Sequence, residues 1–412
     1  MNEQNDERRK EIARRVEYWR RRRGLTRNIF ADRMGRSLSW ARKISNGDRQ
    51  LDRFSVLEQI AGVLNVPLAT LIEAEEAERV AQCPDPAEVA ALAAALQRYD
   101  GIIADGSPRE PPNLNRLGQR VQYVWSSFQA SNYTALGAAL PDLLVNLQHA
   151  ERVCSGSEYD QAIELLIQTY QLAAEAGFKL GRSDLGWLAA DRALILSERF
   201  GDLTLIGATA RRVAHALMAT GSAPRAIELV QSTAERLAPG LGDASPAYLS
   251  AYGMLFLKGS IAAARSSKAG LARDLHVEAR QVALRLGPNP NVHWSNFGTA
   301  NVAVHRVAAL ADLQEGGRVV EEASRLDPAE LNTLARERRA NHFLDVARGY
   351  AQWGKREQAV TVLLDADQLA PQEVRCRPVA HQLITELVHS YPRGTSPSVP
   401  FQRLARAAGV PA

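Results

Sequence analysis

Apolar side chains recur along most of the chain at the three- and four-residue intervals of an amphipathic helix, and no stretch alternates convincingly as a half-buried strand would. Ile12, Val16 and Trp19 share one face of a basic segment over 8–23, which Gly24 ends. Thr26 is placed to cap a second helix over 27–34, with Phe30, Ala31 and Met34 turned inward. Gly35 supplies a tight turn, and Ser37 caps a third helix over 38–45 whose Ala41 and Ile44 face the core. Beyond Gly47, Asp52 or Ser55 caps a fourth helix lined by Val56, Leu57, Ile60, Ala61 and Leu64, and Pro67 opens a fifth with Leu68, Leu71 and Ile72. The pattern predicts a small five-helix domain over 1–75.

Residues 76–112 change character. An acidic, helix-prone stretch is broken by Pro84 and Pro86, an Ala-rich segment follows, and DGSPREPPN reads as a linker with its hinge near 100–112. From 113 to 391 the periodicity is helical again, with tight turns marked by Gly or Pro, and similar segments return. The clearest is VARGYAQWGKREQAVTVLLDADQLAP (346–371), where Ala347, Tyr350, Gly354, Ala359, Leu363, Ala366 and Pro371 carry the pattern. Small residues let two antiparallel helices approach closely, and the proline stops the second. Residues 214–239 repeat the pattern, and 304–328 and 174–198 are weaker copies. About six pairs of roughly 40 residues fill 113–371, with 375–391 as a capping helix. The tail, 392–412, is Pro-rich and then forms a short amphipathic helix, FQRLARAAGV, suited to dock on a partner subunit or on the body.

Charge divides the chain further. Residues 1–53 hold 16 basic and 8 acidic side chains, a net of +8, whereas the whole chain is +4, leaving −4 on the rest. A basic head on a mildly acidic body is the electrostatic footprint of a nucleic-acid-binding domain, although a solvated arginine-rich helix would look the same. For Arg20–Arg23 both readings stay open: phosphate contact, or cations complementing a helix C-terminus. Cys83, Cys154 and Cys376 show no paired spacing, which points to reduced thiols in a cytoplasmic protein and against a disulfide framework or a zinc module. No run of about 18 apolar residues suggests a membrane span, and the N terminus lacks the apolar core of a secretory signal.

The stretch GLTRNIFADRMGRSLSWARKISNGDRQLDRFSVLEQIAGVLNVPLATL resembles the five-helix Cro/lambda-repressor (XRE) type of helix-turn-helix, and is especially similar to actinobacterial regulators of that kind. In that family the third helix enters the major groove of DNA. The resemblance therefore implies that Leu38, Ser39, Arg42 and Lys43 face bases, an Arg or Lys reaching guanine O6 and N7 and Leu38 packing against a thymine methyl. It places Arg27, Ser37 and Asn46 at phosphate-holding positions, with Arg49 and Arg53 nearby, and Arg36, where an apolar residue is common, as an added phosphate contact. Trp40 either covers a phosphate or sugar, or packs beside the core. Two-fold binding of operators implies a homodimer.

The repeats of the body resemble tetratricopeptide repeats, whose first helices line a concave face. The register of the clear copy puts Asn341, Arg348 and Gln352 on that face, and the same register puts Asn301, His305, Arg211 and His215 there. HWSNFGTANVAVH (293–305) gathers aromatics and amides, making Trp294 a candidate pocket wall. Repeated polar side chains suit an extended peptide. They equally describe the wet side of a solenoid. Peptide-sensing regulators in other bacteria share this layout, so the resemblance implies a peptide or small-molecule effector. No GxxxxGK[ST], strand-borne GxGxxG, HExxH or GxSxG is present, and the eight histidines are dispersed. The expectation is an all-α, non-enzymatic transcriptional regulator needing no cofactor or metal. A protein-interaction scaffold with weak nucleic-acid affinity is the alternative.

Overall fold

In the head, the apolar face of a long first helix closes over four short ones. In the computed structural model, which describes residues 2–45, 54–73, 83–99, 112–287, 291–392 and 394–411, the chain divides into two units, Met1–Ala87 and Glu88–Ala412. The first holds α1 (Asn2–Arg22), α2 (Arg27–Arg33), α3 (Leu38–Ser45), α4 (Phe54–Leu64) and α5 (Leu68–Ile72). Ile12, Val16 and Trp19 of α1 bury against Phe30, Trp40, Ile44, Ile60, Leu64 and Leu71 in one core. Thr26 accepts a bond from the Ile29 amide to cap α2, and Ser37 does the same for Trp40 in α3.

The second unit is a stack of antiparallel helix pairs. It begins within α6 (Pro86–Leu96), inside the stretch expected to be linker, whose Leu92, Ala95 and Leu96 join the core of the first pair. Six pairs follow: α7 (Leu114–Gln129) with α8 (Tyr133–Val153); α9 (Gly156–Lys179) with α10 (Ser183–Phe200); and α11 (Leu203–Ala219) with α12 (Ala223–Leu237). The array continues with α13 (Pro246–Arg265) and α14 (Ala269–Leu286), then α15 (Thr299–Asp312) and α16 (Gly316–Ser324). After the short α17 (Pro328–Asn332) comes the sixth pair, α18 (Arg336–Gln352) and α19 (Arg356–Leu369). Among the described residues all regular structure is helical, giving an all-α helix-turn-helix unit followed by a tetratricopeptide-like solenoid.

One three-residue turn is used in all six pairs. Its middle residue is left-handed: Ser131, Gly181, Gly221, Ser267, Gln314 and Gly354 all have φ between 56° and 80°. The next amide donates to the carbonyl five residues back, as from Arg182 to Gly177, Ser222 to Leu217 and Lys355 to Tyr350. That bond satisfies an orphan carbonyl at the helix end and fixes the reversal. Small residues then set the spacing. A Cβ on Gly177 would lie 2.6 Å from the Gly186 nitrogen, and one on Gly316 would lie 2.5 Å from the Gly349 carbonyl oxygen.

The array curls until its two ends touch. At the start of α8 the Tyr133 and Thr134 amides donate to the Gln372 side chain, at 2.6 and 3.1 Å, in α20 (Pro371–Arg375), which follows the sixth pair. Then α21 (Pro378–His389) caps the stack. The tail helix α22 (Val399–Ala407) docks on the body, burying Phe401, Leu404 and Ala405 with α19 and α21. Cys154 is a free thiol, whereas Cys83 and Cys376 are not. The expectation of three reduced thiols is corrected, because spacing along the chain does not reveal which cysteines are oxidised.

Candidate functional site

On α3 the helical repeat sorts side chains into two faces. Trp40, Ala41 and Ile44 are buried. Ser39, Arg42 and Lys43 are exposed and Leu38 is half-buried, at i and i+4 positions of one outward stripe. Arg36 and Ser37 are exposed at the turn leading into that stripe. Trp40 does not cover phosphate: it is only 6% exposed, with its ring 6.1 Å from that of Phe30, so it belongs to the core. Asn46, Arg49 and Arg53 lie outside the described residues.

Several cations of the head are committed to its own fold. Glu17 sits at the middle of these contacts, accepting from Arg20, Arg21, Arg27 and Ser45. Its bond from Arg20 leads, and despite opposing burial its carboxyl is held at about 2. Arg27 thus ties α2 to α1, and to Ser45 of α3 at 3.3 Å. Arg20 is buried and donates to the Leu25 carbonyl. Arg23 donates to the Leu64 and Asn65 carbonyls and pairs with Asp85. Arg22 lies 4.7 Å from the Trp19 ring centroid and donates to the Cys83 carbonyl. The composition of the head had not shown Glu17 to be its organising carboxylate.

In the body, the first helices of pairs two to six converge on a cavity of about 200 Å³. Arg211, His215, His305, Asn341 and Arg348 all line it. Three other candidates do not. Asn301 is fully buried one turn before His305, its amide 3.5 Å from the Met254 sulfur. Gln352, one turn beyond Arg348, donates to the Ala311 carbonyl and faces a separate cleft of about 470 Å³ bounded by α21. Trp294 stacks parallel to Trp125 at 6.1 Å beside a minor cavity of about 20 Å³, whose wall it shares with Arg211 and Arg338.

Seven basic side chains line the 200 Å³ cavity against four acidic ones. Four of the seven are tied to carboxylates. Lys179 bonds Glu337 and Glu373, and Arg377 bonds Glu373. Arg265 and Arg348 meet Asp312 at 3.0 and 2.9 Å. Glu175 lies among Arg211, Arg212 and His215 at 3.5, 3.6 and 4.0 Å. Burial opposes its ionisation, but Arg211, Arg212, Lys258 and Lys179 prevail and hold it at about 2. Burial and the same field of cations push His215 and His305 well below the usual imidazole value. Lys258 is lowered to about 7, by burial first and then by Arg211, Arg338 and Arg265 against the pull of Glu175. One sequence signal marked it, since Lys258 is the lone charge between 246 and 264 in an apolar helix.

The folds and surfaces define a helix-turn-helix domain joined to a helical-repeat body. Residues 11–74 match the family described as a helix-turn-helix domain. Among solved structures, BtubC (BKLC) from P. vanneervenii is similar at 13% identity and a TM-score of 0.36, over 69% of this chain and 96% of its own. PlcR of Bacillus thuringiensis, solved in complex with the peptide PapR7 and DNA, is similar at 11% identity and a TM-score of 0.32, over 86% and 99%. No curated protein matches the sequence. Among the described residues no helix is long and apolar enough to cross a membrane.

Proposed function

We propose that the chain is a sequence-specific DNA-binding transcriptional regulator of the Cro/lambda-repressor type. In this reading it acts as a homodimer, and its repeat body receives a chemical signal. The observation that carries it is the sorting of α3: three apolar side chains anchor the helix, and the polar stripe of Ser39, Arg42 and Lys43 is left to solvent. A helix held this way at the second position of a helix-turn-helix presents its outer stripe to base edges. Arg42 and Lys43 donate to guanine, while Arg36 at the preceding turn adds charge for the phosphates. The body contributes no chemistry of bond-making in this reading. Its cavity binds, and binding biases the head.

The test is selection of bound sequences from a random duplex pool by the full chain, followed by gel shift. Arg42→Ala with Lys43→Ala is expected to lower affinity for the selected site at least tenfold while leaving weak, salt-sensitive binding to unrelated DNA. Arg36→Ala is expected to weaken both targets alike. Enrichment of no sequence, or equal enrichment by the double variant, sinks specific readout by α3.

A further inference from the structure

Three cations of the body cavity stand apart from the paired ones. Arg211 on α11, Lys258 on α13 and Arg338 on α18 all line it. Among the described residues none of the three side chains makes a hydrogen bond. Among the described residues Arg211 has only the 3.5 Å approach to Glu175, Arg338 only a 3.9 Å approach to Glu337, and Lys258 no carboxylate within 4 Å. The Nε atoms of Arg338 and of the neighbouring Arg212 are buried without a hydrogen bond, each facing a carboxylate only at 3.9 and 3.6 Å. Desolvating a cation without a partner is costly, and bringing several together adds repulsion. A fold that needed only to be stable would replace them with apolar side chains.

We propose that Arg211, Lys258 and Arg338 form a binding site for a compact small-molecule anion carrying at least two negative charges on a phosphate or on carboxylates. This deepens the signal-receiving half of the proposed function and rests on it only for its consequence at DNA, not for the binding itself. Guanidinium forks match the oxygens of either group, and an ammonium serves as a point charge between them. Volume argues for a small occupant: about 200 Å³ is below the roughly 300–1,000 Å³ of drug-sized sites. An extended peptide would have to lie outside this cavity. Glu175 and Glu337 limit the excess charge and orient the arginines, so the free site is electropositive without being filled by its own carboxylates. His305, 6% exposed on the same wall, adds a ring nitrogen beyond the one bonded to the Asn301 carbonyl.

The full chain is titrated calorimetrically with inorganic phosphate and with citrate, against sodium chloride at matched ionic strength, and its thermal midpoint is followed. One site per chain is expected, with a rise of about 2–3 °C at tenfold excess over Kd. Phosphate alone binding identifies a phosphorylated ligand; citrate alone identifies a polycarboxylate. Lys258→Gln and Arg338→Gln are each expected to weaken binding at least tenfold. Arg285→Gln, on the outer helix α14, is expected to leave it unchanged. Lys258→Met keeps the side chain's length in an apolar setting and guards against failure to fold. Heat no greater than with chloride at millimolar anion, or equal binding by both cavity variants, overturns the site. DNA affinity is measured in the same buffers. Its loss of anion dependence would remove the regulatory link while the binding isotherm stood.

Discussion

At the scale of single residues, the two units use buried charge in opposite ways. Glu17 is a satisfied carboxylate: its partners are within hydrogen-bond reach, and its pKa falls from 4.5 to about 2. A depressed folded pKa contributes stability that is complete above the unfolded value near 4.5 and is lost as pH falls towards 2. Glu17→Gln is therefore expected to destabilise the head by about 2 kcal/mol at pH 7, after discounting for its partial exposure. The difference from the parent should shrink below pH 4.5 and vanish near 2. Amide exchange over 2–72 in the full chain measures it, and a pH-independent difference would mean that Glu17 acts through packing. Lys258 is the counterexample, a cation without a satisfying partner at a cavity, and charge in that state marks a site more often than a scaffold. The sequence offers a signal for Lys258, a lone charge in an apolar helix, but none for Glu17, one carboxylate in a mixed-charge helix whose value depends on three helices meeting around it.

At the scale of elements, what repeats is the turn, and legibility followed the turn residue in five pairs of six. Gly181, Gly221 and Gly354 announce a left-handed position on their own, so pairs two, three and six could be read directly. Ser131 and Ser267 adopt the same conformation without a glycine's signature, and their pairs were legible only by spacing; Gln314 does so too, yet its pair was read as a weaker copy over 304–328. Such residues hold a strained φ because the flanking helices impose it. Ser267→Gly is expected to stabilise the body by about 0.5–1 kcal/mol, the relief of left-handed strain exceeding glycine's entropic cost. Urea unfolding of the two chains decides it; a loss of stability would show that the Ser267 side chain contributes something the backbone argument omits. The repeat register also fixed which helical face lines the cavity, which is how Arg211, His215, His305, Asn341 and Arg348 come together on its wall. It did not fix how far along each helix the cavity runs. Asn301 lies one turn too early and Gln352 one turn too late.

At the scale of the molecule, the body is stabilised by contacts that no local pattern encodes. Glu373 is fully buried and receives the Tyr133 hydroxyl from the first pair, the Lys179 ammonium from the second and the Arg377 guanidinium from its own turn. The Tyr133–Glu373 separation of 240 residues is why the sequence suggested a concave face but not its closure. These bonds join the first pair to the last, and the Lys179 link borders the anion cavity, so closure and ligand site share a wall. Glu373→Gln keeps the shape but leaves two cations facing a neutral amide, a loss of about 3 kcal/mol by analogy with broken buried pairs. If closure is a local clasp, amide exchange should rise first at the α7–α8 turn and in α20 together. The turn between α13 and α14, remote in the array, should keep its protection. Uniform loss across all six pairs would instead mean that the array unfolds as one cooperative body with no separable clasp. In that case a ligand in the cavity could act only on the whole stack's stability, and not by opening one seam of it.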